Sequence, residues 1–459
     1  MKKQFFIFVI VMPILCLQTI CGQARYVFLF IGDGMGTNQI NVTEAYLSAQ
    51  QGERGSVSLL MTQFPVVSIA STFSANSDVT DSAAAGTALA TGEKTNNGYI
   101  GVDPGFNPLE TIAEKAKKAG RKVGVATTES INGATPAAFY AHQRSRNMYY
   151  EIAQDVIPST FDFFGGSGIA NRNKLVDNTD APDIYPLIEK AGYFIAKGFS
   201  DYKANAGKSD KILLVYENWN QTDGNTAERM DRSRMLPEIT EAAIEVLTRN
   251  NKKGFFVMLE NSGTDGAGHN NDATQAVKEV MDLDEAVKVA YEFYKKHPKE
   301  TLIVITADHE TGGLTVGKGF LRINVLRLQQ TTQSQLSSQI SGLYNSKNGN
   351  IGWEDYKNML TETLGFWKDV AVSWAHEKIL RDAFEAMFAN RQNSETPDFY
   401  ALAGNVKLVV ADMAGLAWST GGHSANYVPV FAVGVGQDLF KGKMHTSDIP
   451  KYIMKAAKL

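Results

Sequence analysis

The chain has 459 residues, of which 44% are hydrophobic and 20% are charged, with 40 glycines and 13 prolines. This composition excludes a small module and an intrinsically disordered chain, and the length suffices for one large core or two ordinary ones. The formal net charge of -4 argues against non-specific nucleic-acid binding, which needs a surplus of Lys and Arg. We therefore expect no nucleic-acid partner, whereas an anionic small-molecule substrate is compatible with this charge.

Residues 1–24 have the pattern of a secretory signal peptide. Lys2 and Lys3 precede an apolar run from Phe5 to Leu17, and the small residues Gly22 and Ala24 follow it. The run is shorter than the ~20 apolar residues of a membrane-spanning helix, and no other segment approaches that length. Cleavage after Gly22 or Ala24 predicts a periplasmic or secreted protein with no transmembrane anchor.

The two cysteines of the chain belong to this signal segment. A lipoprotein signal would need small residues before Cys16 or Cys21, but Leu15 and Ile20 stand there. Cleavage would remove both cysteines, so the mature protein would have no disulfide. Its stability would then come from its hydrophobic core and from bound metal.

Short apolar segments alternate with amphipathic segments along the rest of the chain. The predicted strands share runs of Val, Ile, Phe or Leu without polar alternation, as strands covered on both faces do. They are Tyr26–Ile31, Val66–Ser71, Lys122–Ala126, Ile212–Tyr216, Gly254–Leu259, Leu302–Thr306 and Val428–Val435. Helices are predicted over Leu109–Ala119, over Leu236–Arg249 and across Val277 to Tyr294, where apolar residues recur every three or four positions. The alternation predicts an α/β fold, a three-layer sandwich with a central, mostly parallel sheet between helices.

The segment from Lys318 to Ala417 interrupts this alternation because it lacks strong strand signals. It begins with the Gln- and Ser-rich stretch Gln329 to Ser341, then becomes helical and carries Trp353, Trp367 and Trp374. We expect a crown-like inserted subdomain at about 318–417, packed on the sheet of a single domain. Its tryptophans are expected to form a small core of their own rather than a rim over a site.

Polar side chains cluster at the predicted strand ends. Functional residues of an open parallel sheet gather at the carboxyl ends of its strands. Asp33, Glu260 and the pair Asp308 and His309 each follow a predicted strand, and His423 precedes the last one. Carboxylates and imidazoles at four strand ends predict a metal cluster.

Each of these residues also has an ordinary structural interpretation. Asp265 and His269 are four residues apart and share a helical face, but such a pair alone is a weak metal signal. Asp308 is also suited to capping a helix, Asp33 to a simple Asp-Gly turn, and His423 to a solvated loop. Jointly, however, they supply Asp and His in the ratio expected for zinc with an open coordination position.

The candidate nucleophile is Ser82, within the segment Val79 to Ala88. The small residues after it suit a helix, so Thr80 or Asp81 is open to the simpler role of an N-cap. A serine at a helix N-terminus also meets unpaired backbone N–H groups, which stabilise a phosphoryl group. No neighbouring histidine is needed as a base where a metal ion binds the serine oxygen.

Taken together, these motifs resemble those of the metal-dependent alkaline phosphatases, over nearly all of residues 25–459. The matching segments, in the family's order, are Ile31–Gly36, Val79–Gly92, Ala134–Arg146, Glu260–His269, Thr306–Gly313 and Gly422-His423. The resemblance implies hydrolysis of phosphate monoesters through a covalent phosphoserine, at a site of two zinc ions and one magnesium ion. It also suggests a homodimer.

The resemblance implies a role for each residue of these motifs. Ser82 would be the nucleophile, and Arg146 would bind the non-bridging phosphate oxygens. Only the family spacing selects Arg146 over the nearby Arg144, because both suit a solvated basic face. The ligands implied for the first zinc, which stabilises the leaving-group oxygen and later activates water, are Asp265, His269 and His423. The ligands implied for the second zinc, which coordinates the nucleophile, are Asp33, Asp308 and His309. The ligands implied for magnesium are Glu260, Thr135 and a bridging Asp33.

Two glycines depart from the better-known patterns of the family. Gly133 stands where Asp or His usually assists the magnesium site, and neighbouring Asn132 is a candidate to compensate. Gly266 stands directly after Asp265, where Lys or His often helps to hold phosphate. We therefore expect weaker product inhibition than in relatives with the Lys, and the magnesium affinity stays open.

Two other classes of function fit these residues less well: another esterase of the same fold, and a non-catalytic binding protein. A sulfatase would need a cysteine or serine within its own modification motif, and a phosphodiesterase would gain little from an arginine plus a third metal. A non-catalytic secreted binding protein is disfavoured because Ser82 and all the proposed ligands are present. The natural monoester is not specified by these residues, since substrate choice is expected to lie with the insertion.

Overall fold

The computed structural model describes residues 22–55, 57–216, 235–389 and 397–459. Most of the predicted signal segment, including both cysteines, lies outside the described residues. Within the described part of the chain, no helix combines the length and apolar character needed to cross a membrane.

Ten of the strands form one large sheet. The strands in chain order are β1 (Tyr26–Gly32), β2 (Val66–Ser71), β3 (Lys122–Thr127), β4 (Phe163–Gly166), β5 (Tyr193–Lys197), β6 (Lys211–Val215), β7 (Phe255–Asn261), β8 (Thr301–Thr306), β9 (Glu310–Thr311), β10 (Thr315–Val316), β11 (Leu416–Ala417), β12 (His423–Ser424), β13 (Val428–Gly434) and β14 (Lys443–His445). The order across the sheet is β14-β2-β13-β8-β1-β7-β3-β4-β6-β5. The remaining strands form two small pairs, β10 with β11 and β12 with β9.

Helices cover both faces of this sheet and fill the insertion. The α-helices in chain order are α1 (Thr37–Gln50), α2 (Ser82–Thr91), α3 (Ile112–Lys118), α4 (Ala134–Ala137), α5 (Tyr149–Ser159), α6 (Ile184–Lys190), α7 (Phe199–Asn205), α8 (Met235–Thr248), α9 (Gly263–His269), α10 (Ala273–Lys296), α11 (Gln333–Ser346), α12 (Trp353–Leu364), α13 (Trp374–Ala389), α14 (Phe399–Met413) and α15 (Ile449–Ala457).

The sheet is mostly parallel, as the sequence predicts. The central strand β1 pairs in parallel with β7 and with β8, and its residues Val27 to Ile31 are fully buried. Among the described strands of this sheet, β13 alone runs antiparallel to its neighbours, which are β8 and β2. A central strand covered on both faces needs an uninterrupted apolar run, which explains why these strands were recognisable from sequence.

Three strands of the sheet are absent from the predicted set: β4, β5 and the three-residue edge strand β14. β4 spans four residues, of which Gly165 and Gly166 are glycines, so it carries little apolar signal. β5 lies at the edge of the sheet, and its Tyr193 and Ile195 are buried while Lys197 is exposed. Edge position and short length both weaken the continuous apolar pattern from which the other strands were predicted.

The insertion packs around a second hydrophobic cluster. Helices α11–α14 lie between β10 and β11, and their buried apolar residues form a second cluster that also includes residues of α1 and α10. Trp353 and Trp367 pack edge-to-face within it, with ring centroids 6.4 Å apart. Trp374, by contrast, is 80% exposed. Two of the three tryptophans thus lie where a small core was expected, and the third does not.

Candidate metal centre and nucleophile

The carboxyl ends of three neighbouring strands bring the acidic residues together. In the parallel register, Ile31 of β1 lies opposite Glu260 of β7 and opposite Thr306 of β8. Asp33 and Asp308, each two residues further on, therefore stand at the same edge as Glu260. All three are nearly or fully buried, with Asp33 5% exposed and the others 0%.

The turn after β1 depends on a glycine. Gly34 has φ +72°, a left-handed backbone conformation that residues other than glycine rarely adopt. A Cβ atom at this position would lie 2.6 Å from the Cα of Asp265. The Asp-Gly dipeptide therefore does more than turn the chain, because the missing side chain lets the loop after β1 approach α9.

Asp265, His269 and His423 form the first group of candidate ligands. The Nε2 atoms of His269 and His423 each lie 3.4 Å from Oδ1 of Asp265 and 3.2 Å from each other. Their Nδ1 atoms donate to the carbonyls of Gly421 and Thr80, at 2.8 and 2.9 Å. Because Nδ1 carries the proton in each ring, Nε2 presents its lone pair to the centre of the group.

Electrostatics also suit Asp265 to cation binding. Burial alone would raise the pKa of its carboxyl, but the neighbouring imidazoles of His423, His309 and His269 lower it well below the usual range. The carboxylate is therefore ionised under all ordinary conditions. An ionised carboxylate beside two imidazoles is a typical zinc ligand set.

Asp33, Asp308 and His309 form the second group. The Nε2 atom of His309 lies 3.5 Å from Oδ1 of Asp33 and 3.2 Å from Oδ2 of Asp308. Burial, together with repulsion by His423, lowers the pKa of His309 to about 3, so its imidazole is neutral and available as a ligand. Burial and the neighbouring Asp265 raise the pKa of Asp308 to about 6, and burial with Asp308 raises that of Asp33 well above its usual value.

Three buried carboxylate oxygens at this edge of the sheet indicate that cations belong there. Oδ1 of Asp33, Oε1 of Glu260 and Oδ2 of Asp308 accept no hydrogen bond from any described residue. Burying such a group without a partner costs about 1–3 kcal/mol, and more when it is charged. Thr135 adds a hydroxyl oxygen 3.5 Å from Oδ2 of Asp33. The donor set fits the implied metals, with nitrogen and oxygen ligands for zinc and oxygen ligands alone for magnesium.

Ser82 lies at the first position of α2, directed at the second group. Its Oγ is 3.2 Å from Nε2 of His309, and the residue is 4% exposed. Asp81 caps the helix by accepting a hydrogen bond from the N–H of Ala84 at 3.0 Å. The N-cap interpretation is therefore correct for Asp81, and it coexists with a functional position for Ser82.

The two candidate arginines, Arg146 and Arg144, lie in different surroundings. Nη1 of Arg146 lies 3.2 Å from Oδ2 of Asp81, beside the N-terminus of α2. Arg144 is exposed, and its guanidinium lies 5.1 Å from the ring centroid of Phe106. Asp81 therefore links Arg146 to the helix that carries Ser82.

Sequence reasoning missed Glu129. Burial, with repulsion from Asp265 and Asp308, raises the pKa of its carboxyl to about 7 against the opposing effect of Arg146. Glu129 comes three residues after the predicted strand Lys122–Ala126. The strand-end rule that found the other acidic residues applied here as well.

The hydrogen bonds of Asn132 argue against the compensating role suggested for it. Its amide donates to the carbonyls of Tyr149 and Ala170, at 2.8 and 2.9 Å, and its Oδ1 accepts from the N–H of Ala170. Every polar atom of this side chain is therefore committed to holding the loop. Asn132 therefore holds the loop, and its hydrogen bonds connect it to backbone groups instead of to the candidate ligands.

Comparison with known proteins identifies the class. The sequence profile of the alkaline phosphatase family matches residues 24–172 and 208–459. Alkaline phosphatase 4 of Bacillus subtilis is 31% identical over 455 residues, covering 95% of this chain and 89% of that protein. The structure of the cold-active alkaline phosphatase from a psychrophilic Shewanella has a TM-score of 0.76 at 28% identity, covering 94% of this chain and 99% of that one. A mutant of TAB5 alkaline phosphatase with Mg bound in its M3 site has a TM-score of 0.64 at 26% identity, covering 95% and 99%.

The chain belongs to the alkaline phosphatase family. Its fold matches that of the solved members, and the similarity extends over most of both chains. The protein is accordingly a phosphatase that acts on phosphate monoesters. The expected family, fold class and enzyme class are confirmed, and the groups of candidate ligands agree with metal dependence.

Proposed function

We propose that this phosphatase works through a phosphoserine formed on Ser82, at a site that holds two zinc ions and one magnesium ion. The observation that carries the proposal is the position of the Ser82 hydroxyl. Its Oγ lies 3.2 Å from an imidazole nitrogen of His309, and the ring of His309 clusters with Asp265 and His423 as well as with Asp33 and Asp308. A helix N-terminus, a serine and buried ligands for cations thus converge at one point.

The residues divide among the metals by ligand type. Asp265, His269 and His423 would hold one zinc, and Asp33, Asp308 and His309 the other. Glu260, Thr135 and Asp33 would hold magnesium through oxygen atoms alone. When bound, the ions lower the pKa of a coordinated hydroxyl or water and offset the negative charge of the phosphate.

The protein groups position the phosphate and the nucleophile. The free N–H groups at the start of α2 and the guanidinium of Arg146 would bind the phosphoryl oxygens. Ser82 Oγ would then form a bond to phosphorus as the alcohol leaves, and water would release phosphate in a second displacement. His309 is a poor general base for the Ser82 proton, because its pKa is lowered to about 3. That is the reason to assign it as a ligand.

A comparison of wild type with Ser82→Ala tests the nucleophile. Hydrolysis of p-nitrophenyl phosphate in zinc and magnesium should fall about 10³-fold or more, because loss of a nucleophile removes the covalent route. Acid quenching with labelled phosphate should trap phosphoserine in wild type and not in the variant. Ser338→Ala, an exposed serine of α11, is the matched control and should retain full activity.

Equal rates for wild type and Ser82→Ala, with unchanged metal content, would refute the covalent route. The same assay with a phosphodiester and a sulfate ester separates the alternative esterase functions. We expect the monoester to be hydrolysed fastest, since an arginine and three cations favour a doubly charged phosphate.

We also propose that the chain is exported after cleavage of its first residues, as a homodimer with an inserted subdomain at 318–417. The N–H of Ala24 donates to the carbonyl of Ala456 at 3.0 Å, and the carbonyl of Ala24 accepts from Nη1 of Arg121 at 2.8 Å. Cleavage after Gly22 would preserve both bonds, whereas cleavage after Ala24 would remove them. N-terminal sequencing and sedimentation of the exported protein test this proposal.

A further inference from the structure

Glu129 fills the space beside Gly133. A Cβ atom at Gly133 would lie 1.9 Å from Oε1 of Glu129 and 2.4 Å from its Cδ. Real Cβ atoms do not approach other atoms so closely, so the Glu129 carboxylate occupies the volume that any side chain at position 133 would need. The absence of a side chain at Gly133 and the presence of a carboxylate at Glu129 are therefore one structural feature.

The loop holds Glu129 by its backbone and leaves its carboxylate unbonded. Its N–H donates to Oγ1 of Thr127 at 3.0 Å, and its carbonyl accepts from the N–H of Ser167 at 2.8 Å. The N–H of Gly133 donates to the carbonyl of Ser130 at 2.7 Å, which closes the loop. Among the described residues, no donor makes a hydrogen bond to the Glu129 carboxylate.

The position of Glu129 relative to Glu260 follows from the sheet. β3 and β7 are parallel, and Thr127 at the end of β3 lies opposite Glu260. Glu129, two residues beyond, is one of the groups whose charge acts on both Glu260 and Asp33. Oε1 of Glu260 and Oδ1 of Asp33 are buried without partners among the described residues. Three carboxylates thus repel one another at this point unless a cation lies among them.

The structure also limits how Glu129 can act. In the described part of the chain, the groups of carboxylate and imidazole atoms within 4.8 Å of one another do not include Glu129. Its carboxylate therefore lies outside these clusters, as that of Glu260 does. A carboxylate in this position can still accept hydrogen bonds from water molecules on a bound cation.

We infer that Glu129 is a positioning residue of the magnesium site, and that it replaces the side chain that Gly133 lacks. The inference rests on the proposed magnesium site formed by Glu260, Thr135 and Asp33. The Glu129 carboxylate would accept hydrogen bonds from water on the cation and would offset its charge. It is absent from the ligand set carried over by resemblance because the contribution comes from a different position of the loop.

Magnesium titration of the zinc-loaded protein by calorimetry tests the inference without measuring turnover. Glu129→Gln keeps the shape of the side chain but removes its charge, and we expect it to weaken magnesium binding at least tenfold with zinc content unchanged. The double variant Glu129→Ala/Gly133→Asp should recover part of this loss, because the vacated space then receives a carboxylate from position 133. Asp155→Asn is the matched control, since that partly buried carboxylate contacts His142 and Gln143 instead.

A second measurement separates positioning from a merely structural role. Without metals, Glu129→Gln should melt at the same temperature as wild type or higher, because a repelling charge is gone. Magnesium should then raise its melting temperature less than it raises that of wild type. Unchanged magnesium affinity, or a lower melting temperature both with and without metals, would overturn the inference. Loss of zinc together with magnesium would do so too.

Failure of the proposed function would look different. A wild type that binds magnesium but traps no phosphoserine would refute the covalent mechanism. The magnesium affinities of Glu129→Gln and wild type could still be compared in that case. A variant with normal magnesium affinity but a raised inhibition constant for phosphate would mean that Glu129 serves Arg146 instead. That result would overturn the inference and leave the proposed function standing.

Discussion

The buried ion pair between Lys407 and Asp272 should be one of the most sensitive points in the fold. The side chain of Lys407 in α14 is 2% exposed, that of Asp272 before α10 is 0% exposed, and their charged atoms are 3.4 Å apart. Asp272 also accepts hydrogen bonds from the N–H of Gln275 and from Nε2 of Gln329, at 2.9 and 2.8 Å. Lys407→Met would keep most of the side-chain volume and leave the carboxylate buried without its cation.

The expected destabilisation can be worked from this geometry. At 3.4 Å and an effective dielectric constant of ~20, the gross attraction is about 5 kcal/mol. Removing one partner of a buried pair typically costs about 3–5 kcal/mol. The two hydrogen bonds that remain on Asp272 place the expected loss at the lower end, about 3 kcal/mol. With ~2.1 cal/mol/K of unfolding entropy per residue, the whole chain gives ~1 kcal/mol/K, so the melting temperature should fall by about 3 °C.

Calorimetric melting of the metal-loaded protein is the assay. The matched control is Lys203→Met, because Lys203 pairs with Glu241 and Glu245 while remaining 44% exposed. An exposed pair contributes about 0–1 kcal/mol, so this control should shift the melting temperature by less than about 1 °C. The double variant Lys407→Met/Asp272→Asn should recover most of the loss, since no uncompensated charge then remains buried.

The same pair connects the insertion to the candidate zinc site. Nζ of Lys407 lies 3.4 Å from the carbonyl of Asn270, the residue after His269. We therefore expect Lys407→Met to weaken zinc retention at His269 as well as to lower the melting temperature. A shift no larger than that of the exposed control would refute the reasoning, because it would mean that the buried charge finds other compensation.

Three further predictions concern the metal-free protein, a histidine pair and a helix cap. The pKa values of Asp308 and Glu129 are raised to about 6 and about 7, so the folded metal-free protein holds protons that the unfolded chain releases, and its melting temperature should fall as pH rises from about 4 to 7. Metal loading should abolish this decline. Burial opposes protonation of His142, but its hydrogen bond to Glu114 raises its pKa on balance, so the pair stabilises the fold below about pH 6.5 and loses this effect as pH rises through the raised value. His142→Gln should therefore be more destabilising at pH 6 than at pH 9, by about 1 kcal/mol at most. Asp81→Ala removes the cap of α2 and the bond to the N–H of Gly98, and should cost about 2–3 kcal/mol.

Each of these three predictions would be contradicted by a specific result. A melting temperature of the chelated protein that is flat or rising between pH 4 and 7 would mean that the raised carboxyl pKa values are wrong. If His142→Gln is equally destabilising at both pH values, the His142–Glu114 interaction does not depend on the charge of His142. For the cap, Asp398→Ala removes only the exposed cap of α14 and should cost about 1 kcal/mol. An Asp81→Ala loss no greater than this would contradict the additional role of Asp81.

The sequence by itself predicted seven of the ten strands of the large sheet and drew attention to most of the candidate site residues. β8 was predicted as Leu302–Thr306 and spans Thr301–Thr306, all of them buried, because a strand covered on both faces is apolar over nearly its whole length and its limits are then visible in composition. Asp33, Glu260 and Asp308 were found because polar residues directly after such strands stand out against the apolar run. These features depend on short stretches of neighbouring residues, which is the information a sequence presents directly.

The tertiary structure decided how distant segments meet. His423 precedes its strand instead of following it, yet it joins the carboxyl edge because β13 runs antiparallel to β8. Arg146 was distinguished from Arg144 by its contact with Asp81, 65 residues away along the chain. The space beside Gly133 is taken by the side chain of Glu129, not by Asn132. Strand direction, side-chain orientation and the occupancy of a buried space all depend on contacts between remote parts of the chain, and local sequence patterns do not encode them.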